Sequence, residues 1–306
     1  MKNCATQTIL VPLDFTDVAE YALDHAKALA GIFGYQLFLL HVVQKKHKGK
    51  AQEAEAAKRL RELAGQLKEN TGLEVDHTVR AGNIFDTISD LADELSAVFI
   101  VMGVHGKKGV AHLVGSYPYK VVCRAHVPVL VVKEKHHHVG FDNIVVPIDF
   151  SRRSAQKVAQ ATKFARFFGA KIRVFGFLSH DNKAKIINKE ALLKSVTDFF
   201  ISKGVSVTTD LLVKPGMDWD EALLMFADKV KADLIMIVAE RGSRFQDIFS
   251  SNYTERILDK VNVPVLTIMP CAEDLAEEAE AVSSRQGIVT PFVDPLGFFA
   301  RSADII

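Results

Sequence analysis

The sequence has little cysteine and almost no excess of charge, and each shortage excludes a class of protein. Its three cysteines, Cys4, Cys123 and Cys271, are widely spaced and include no CxxC pair, so neither a disulfide framework nor a cysteine zinc site is expected. Lys and Arg number 38 and Asp and Glu 37, which leaves no global field to attract nucleic acid or an anionic membrane. No apolar run approaches the roughly 18 residues of a membrane span, and the first residues lack the apolar core of a signal peptide. We therefore expect a cytoplasmic protein with no nucleic-acid or membrane partner.

What the sequence does contain is an internal repeat. ILVPLDFTDVAEYALDHAKALAGIFG, residues 9–34, returns 135 residues later as IVVPIDFSRRSAQKVAQATKFARFFG, residues 144–169. Near the end of each copy VPVLVV, residues 127–132, returns as VPVLTI, residues 263–268. A period of this length is too long for a solenoid and matches one whole domain.

The repeat predicts how the chain is divided. We expect two domains, residues 1–135 and 136–271, and a tail, residues 272–306, that belongs to neither copy. The tail combines an acidic stretch with several phenylalanines and prolines in an otherwise irregular sequence. Aromatic side chains in such a tail usually dock on a protein surface. That surface belongs either to this chain or to another, so a homo-oligomer or a protein partner bound through the tail is the corresponding hypothesis.

Within each copy, short apolar strands alternate with helices. QLFLLHVV, residues 36–43, and KIRVFGFL, residues 171–178, are typical of strands that are covered on both faces of a parallel sheet. Thr16 is suited to cap the first helix of the first copy, and Gly34 to end it. Each copy is predicted to be a doubly wound α/β domain with a mainly parallel, five-stranded sheet. We expect the two domains to pack as a pseudo-dimer through their apolar fifth strands.

One glycine-rich segment follows the fourth predicted strand. MGVHGKKGVAHLVGS, residues 102–116, holds four glycines, two lysines and a closing Gly-Ser where the last helix is expected to begin. Glycines let a backbone approach a ligand closely, and a helix N-terminus with free N–H groups attracts anions. Neither GxxxxGK[ST] nor a GxGxxG that opens the first helix is present, which disfavours P-loop and Rossmann sites. The segment therefore indicates a phosphate site of another kind, at the carboxyl ends of the strands.

These motifs in this order resemble a known family. VPLDFTD on the first strand, LLHVV on the second, and MGVHGKKGVAHLVGS followed by VPVLVVK resemble a universal stress protein domain. The repeat makes the chain resemble a tandem universal stress protein over about residues 5–271, with the fold of adenine nucleotide alpha hydrolases. The resemblance implies that the chain binds ATP or a related adenine nucleotide, with or without Mg²⁺. The residues it implies by position are Pro12, Leu13, Asp14, Val42, Met102, Gly103, Gly106, Gly115, Ser116 and Tyr117.

In that family the Gly-x-x-Gly loop and the later Gly-Ser bind the phosphates and ribose. The aspartate of the first strand contacts the adenine end of the nucleotide, and the residue after the histidine of the second strand lines the base pocket. The second copy departs from this pattern, with Ala239 in place of Gly103, and Ser251 and Asn252 in place of the Gly-Ser pair. Phe177 replaces Val42 and is large enough to fill a base pocket. We therefore expect the second domain to be degenerate as a nucleotide site.

Motifs of catalysis and metal binding are absent from the sequence. No Ser or Cys nucleophile accompanies His41 or His105, and no SGGxDS or HIGH-like motif of an adenylate-transferring enzyme occurs near the first strand. The three adjacent histidines 136–138 lack an HxxxH or carboxylate pattern, so we interpret them as a polar linker. We predict no catalytic and no metal-binding residues, and at most slow ATP hydrolysis. Two functions stay open, a stress-response protein that binds an adenine nucleotide in its first domain, and a nucleotide-independent scaffold that recruits partners.

Overall fold

The described residues come from both copies of the repeat. The computed structural model describes residues 7–43, 50–104, 117–134, 140–148, 154–239 and 253–268, with the backbone alone at 50, 117 and 154–156. Contacts among them define two compact units. The first lies within residues 1–140 and 241–267, and the second within residues 141–240 and 268–306.

The first unit is built on five parallel strands with helices between them. The strands are β1 (Thr8–Pro12), β2 (Gln36–Val43), β3 (Val75–Ala81), β4 (Phe99–Gly103) and β5 (Val129–Val132), and the helices are α1 (Asp17–Phe33), α2 (Lys50–Thr71), α3 (Ile84–Glu94) and α4 (Tyr117–Arg124). The strands are ordered β3-β2-β1-β4-β5, and each pair of neighbours is parallel. Right-handed crossovers in this order place α1 and α2 on one face and α3 and α4 on the other. This is the predicted doubly wound fold.

The second unit repeats the pattern. Its strands are β6 (Asn143–Pro147), β7 (Lys171–Leu178), β8 (Val207–Val213) and β9 (Leu234–Val238), and its helices are α5 (Ser154–Phe168), α6 (Lys183–Ser202) and α7 (Trp219–Lys229). The strands are parallel in the order β9-β6-β7-β8, which matches β4-β1-β2-β3 of the first unit. β7 is the predicted strand KIRVFGFL to the residue, whereas the bounds of α6 were not predicted from the sequence.

The last two elements that the structure describes are α8 (Tyr253–Lys260) and β10 (Val265–Ile268). All of α8 and all of β10 except Ile268 belong to the first unit. There α8 packs on α4, and β10 runs antiparallel to β5 with Leu266 opposite Leu130. The Thr267 hydroxyl donates to the Val129 carbonyl at 3.1 Å. β5 ends the row of parallel strands, so its outer backbone groups need a partner, and β10 supplies it. Among the described residues, the second copy of the repeat thus contains five strands, β6 to β10, as predicted, whereas the repeat boundaries and the pseudo-dimer stay predictions.

The sheet of the first unit forms because its strands are almost wholly apolar. Ile9, Leu10 and Val11 of β1 are fully buried, because β1 has strands on both sides and helices over both faces. The helix that follows β1 ends as the sequence predicts. Gly34 adopts a left-handed conformation with φ of 68°, and its N–H donates to the Ala30 carbonyl. A glycine accepts this conformation without the steric cost that a Cβ brings.

Two glycines three residues apart, Gly31 inside α1 and Gly34 directly after it, provide a test of this helix end. Gly34→Ala should lower the free energy of unfolding by about 1 kcal/mol, because it places a Cβ in the left-handed region. Gly31→Ala should raise it by about 0.5 to 1 kcal/mol, because Gly31 lies inside the helix and an added Cβ meets open space. Urea unfolding followed by circular dichroism measures both, and a shift in the same direction for the two variants would contradict this account.

Candidate functional site

A cleft opens where β1, β2 and β4 end. It lies beside the central strand β1, whose neighbours β2 and β4 are reached by crossovers in opposite directions, and ligands of open α/β sheets bind at such a point. The cleft holds about 650 Å³ of empty space, including the part that is open to solvent. Most of the side chains around it are apolar. The lining residues are Pro12, Leu13, Asp14, Leu40, His41, Val42, Ile84, Phe85, Ile88, Met102, Gly103, Val104 and Val121.

The cleft contains most of the predicted site residues that the structure describes. Six of the ten predicted positions line it, and they come from the ends of three strands: Pro12, Leu13, Asp14, Val42, Met102 and Gly103. Tyr117 is the first residue of α4, and its side chain lies outside the described part. Gly106, Gly115 and Ser116 also lie outside the described residues.

One wall of the cleft is formed by side chains of α3 and α4, which the sequence did not predict as site residues. Ile84, Phe85 and Ile88 of α3 and Val121 of α4 face the strand ends across the cleft. Asn83 starts α3, since its side-chain oxygen accepts the Phe85 N–H at 2.9 Å. The apolar spacing along residues 84–91 indicates that one face of this helix is buried, but only the fold shows what it covers.

The cleft-lining helix α3 is also tied to the sheet by a charged pair. Arg80 of β3, which is paired with Val42 in the sheet, donates from both terminal nitrogens to the Glu94 carboxylate, at 2.7 and 2.6 Å. These hydrogen bonds lower the pKa of Glu94 and raise the pKa of Arg80. Both side chains are exposed, so the pair orients the end of α3 more than it stabilises the unit.

The turn after β1 places a carboxylate at the cleft. The Leu13 N–H continues the sheet by donating to the Leu40 carbonyl at 2.7 Å. Asp14 follows, and its Oδ1 accepts both the backbone N–H and the hydroxyl of Thr16, at 3.1 and 2.6 Å. Thr16 occupies the predicted N-cap position of α1, but its side chain makes no capping hydrogen bond to the helix and binds Asp14 instead. The residue that precedes α1 therefore helps to orient Asp14.

Phe15, in the same turn, has an unusual backbone conformation. Its φ is 61°, in the left-handed region that bulky residues avoid at a cost on the order of 1 to 3 kcal/mol. Its ring lies 4.7 Å from the ring of His41, centroid to centroid. The Nδ1–H of His41 donates to the Leu13 carbonyl at 2.7 Å, which holds the imidazole against the turn. The Arg59 guanidinium of α2 covers the Phe15 ring at 4.0 Å from the centroid.

Gly103, at the end of β4, is a glycine for a structural reason. A Cβ at this position would clash with the carbonyl oxygen of Val18 and would lie 2.8 Å from the nitrogen of Ala19. The end of β4 therefore passes directly over the first turn of α1. The sequence analysis attributed this glycine to close approach of a ligand, whereas the structure shows close approach of the protein's own helix.

The second unit carries larger side chains at the equivalent positions. The hydrogen bond from the Ile148 N–H to the Phe175 carbonyl, 2.8 Å, is the counterpart of the one between Leu13 and Leu40. Phe175 is buried and stacks on Phe226 at 4.5 Å, and Phe177 is 8% exposed.

The counterpart of His41 is a glycine. A Cβ on Gly176 would lie 2.7 Å from Cδ1 of Leu193. Leu193 of α6 therefore lies where a side chain at position 176 would be. The buried Lys157 side chain donates to the carbonyl of Pro147, the counterpart of Pro12.

The described residues form neither a metal-binding cluster nor a membrane-spanning helix. Within the described ranges, no three His, Cys, Asp or Glu side chains come together in a way that could hold a metal ion. Among the helices that the structure describes, none is both long and apolar enough to cross a membrane.

The fold and the cleft define a class, a tandem of doubly wound α/β units with a ligand-sized cleft at the switch point of the first. Both copies match the model of the universal stress protein family, over residues 5–133 and 140–268. The chain belongs to the universal stress protein family.

The chain is similar to individual universal stress proteins over one copy or both. A universal stress protein of Methanocaldococcus jannaschii is 30% identical over 154 residues, which cover 42% of this chain and 95% of that protein. The crystal structure of a universal stress protein from Archaeoglobus fulgidus has the same fold over 87% of this chain and 99% of its own, with a TM-score of 0.69 and 20% identity. Another structure from Archaeoglobus fulgidus, 26% identical over 42% of this chain and 97% of its own, with a TM-score of 0.35, is a complex with dAMP.

Substitution of Gly103 tests the close contact between β4 and α1. Gly103→Ala should destabilise the protein by about 1 to 3 kcal/mol, because backbone atoms of α1 cannot move aside as a flexible side chain would. Gly65→Ala is the matched control, since Gly65 lies in α2 and an added Cβ there meets open space. Thermal unfolding of the two variants measures the difference, and equal stability would show that the contact is looser than the structure indicates.

Proposed function

We propose that the first unit binds an adenine nucleotide, ATP or AMP, in the cleft at the ends of β1, β2 and β4. The observation that supports this most directly is the convergence of Pro12, Asp14, Val42 and Met102 on one largely apolar cleft at the switch point. Those residues come from three segments that are far apart in the chain, and the family resemblance implied them from sequence. Membership of the family supports the same proposal.

The chemistry of the cleft suits a purine nucleoside. Val42, Met102 and the α3 side chains Ile84 and Ile88 offer apolar walls for a flat base. The Asp14 carboxylate accepts hydrogen bonds and therefore suits a hydroxyl or amino group of the ligand. We propose that the phosphates lie toward the glycine-rich segment 102–116, whose N–H groups and lysines would neutralise them.

A bound Mg²⁺ would belong to the nucleotide and not to the protein. Asp14 is the one carboxylate among the described residues that line the cleft, and a single carboxylate is a weak site for Mg²⁺, which gives up its bound water reluctantly. We propose that Mg²⁺, where present, enters with the triphosphate. We also propose that the protein binds the nucleotide without turning it over efficiently. The Nδ1–H of His41, which lines the cleft, donates to the Leu13 carbonyl, so this nitrogen does not act as a general base. The function we propose is therefore nucleotide binding in a cytoplasmic stress response.

The second unit is proposed to be degenerate. Its counterparts of the cleft residues are larger or displaced, with Phe177 for Val42 and Leu193 over Gly176. The buried side chain of Lys157 also lies in this region, with its ammonium group donating to the Pro147 carbonyl. These larger side chains support the proposal that the second unit has less space for a base than the first.

A reciprocal pair of substitutions tests the assignment. Val42→Phe places the residue of the second unit in the cleft of the first and should weaken ATP and AMP binding at least about tenfold, because the ring occupies the space of the base. Phe177→Val makes the opposite change in the second unit and should leave the affinity unchanged. Isothermal titration of both nucleotides into the wild type and the two variants measures the effect.

The outcomes separate the two candidate functions. One binding site per chain that is lost with Val42→Phe alone supports the proposal. Equal losses from both variants would show that the units are equivalent. A wild-type protein that binds neither nucleotide, and releases none when denatured for mass spectrometry, would favour the nucleotide-independent scaffold instead.

A further inference from the structure

We propose that Arg59 of α2 is a positioning residue for the nucleotide site, which acts through the ring of Phe15 on the carboxylate of Asp14. The inference rests on the proposed function of the first unit. Arg59 does not line the cleft, and no motif in the sequence singles it out. In the structure, Arg59 contacts the ring of Phe15, in the turn that carries Asp14.

Two side chains contact the ring of Phe15. The His41 ring lies 4.7 Å away, fixed by its hydrogen bond to the Leu13 carbonyl. The Arg59 guanidinium carbon lies 4.0 Å from the ring centroid, well within the range of a cation–π contact. The same three side chains line a hollow beneath α2, together with Ala51, Gln52, Glu55 and Ala56. His41 also lines the cleft, so the turn separates the cleft from this hollow.

The support is needed because the backbone of Phe15 is in a conformation that it would otherwise leave. A φ of 61° is disfavoured for every residue with a Cβ and strongly so for an aromatic one. Such conformations persist where the surroundings enforce them, and they are concentrated at binding sites. The contacts of the ring with His41 and Arg59 are among the interactions that hold this turn, and we infer that they help to enforce the conformation.

The conformation of Phe15 determines where Asp14 points. Asp14 Oδ1 accepts hydrogen bonds from the N–H and the hydroxyl of Thr16, so both must stay on the same side of the turn as the carboxylate. Phe15 lies between these two residues, and a change of its φ to a negative value would rotate Thr16 away from Asp14. Loss of the Arg59 contact should therefore allow the carboxylate to leave its orientation at the cleft.

The first measurement compares two arginines of the same helix. Arg59→Ala should weaken ATP and AMP binding by about two- to fivefold, the change that corresponds to an exposed cation–π contact. Arg61→Ala is the matched control, because a residue two positions along a helix points to a different side, and it should leave both affinities unchanged. Equal effects of the two variants would indicate a general loss of positive charge and would overturn the proposal.

A double-mutant cycle distinguishes positioning from direct contact with the ligand. In an Asp14→Ala background, Arg59→Ala should cause no further loss, because the group it positions is gone. In a Phe15→Gly background it should again have no effect, since glycine adopts a positive φ without support and offers no ring. Additive losses in either background would show that Arg59 acts on the nucleotide by another route, and would overturn the positioning role.

Amide hydrogen exchange provides a readout that needs no ligand. The Thr16 N–H, which donates to Asp14, should exchange faster in Arg59→Ala than in the wild type and should be unchanged in Arg61→Ala. Unchanged exchange in Arg59→Ala would overturn the support of the turn. A wild type that binds no nucleotide would overturn the proposed function instead, and it would do so whatever the exchange rates show.

Discussion

The parallel pairing of β1 with β2 on one side and β4 on the other is the constraint on which the first unit depends. Ile9 faces Leu37 in one pairing and Phe99 in the other, so the ends of these three strands come to one edge of the sheet. The crossovers from them leave in opposite directions, which separates α1 and α2 from α3 and α4 and leaves a gap above β1. Asp14, Val42 and Met102 face this gap because each follows or ends one of the three strands.

The same constraint holds in the second unit, yet its side chains give a different result. β6 lies between β7 and β9 as β1 lies between β2 and β4. Phe175 and Phe177 take the positions of Leu40 and Val42, and Leu193 packs on Gly176, the counterpart of His41. Buried apolar surface of this kind stabilises a unit by roughly 25 cal/mol per Å². One fold thus accommodates side chains of different size at equivalent strand ends.

Much of the fold was predictable, because strands that are buried on both faces have an unambiguous composition. QLFLLHVV and KIRVFGFL are β2 and β7 to the residue, and Gly34 ends α1 as predicted. The helix α6 was missed, because apolar residues such as Ile187 and Ile201 are exposed and blur the amphipathic pattern. The sequence predicts that β5 and β10, the apolar fifth strands of the two copies, pack together, but only the structure shows that they pair antiparallel with Leu266 opposite Leu130.

The sequence by itself determined the repeat, the family and the strand ends at which the site lies, because these depend on local composition and on the order of motifs. The tertiary structure decided which side chains meet there. α3 supplies one wall of the cleft, Gly103 is small because α1 passes over it, and Arg59 reaches Phe15 from 44 residues away in the chain. These contacts join segments that are distant in sequence, and their distances depend on how helices pack on the sheet, which no local pattern of residues specifies.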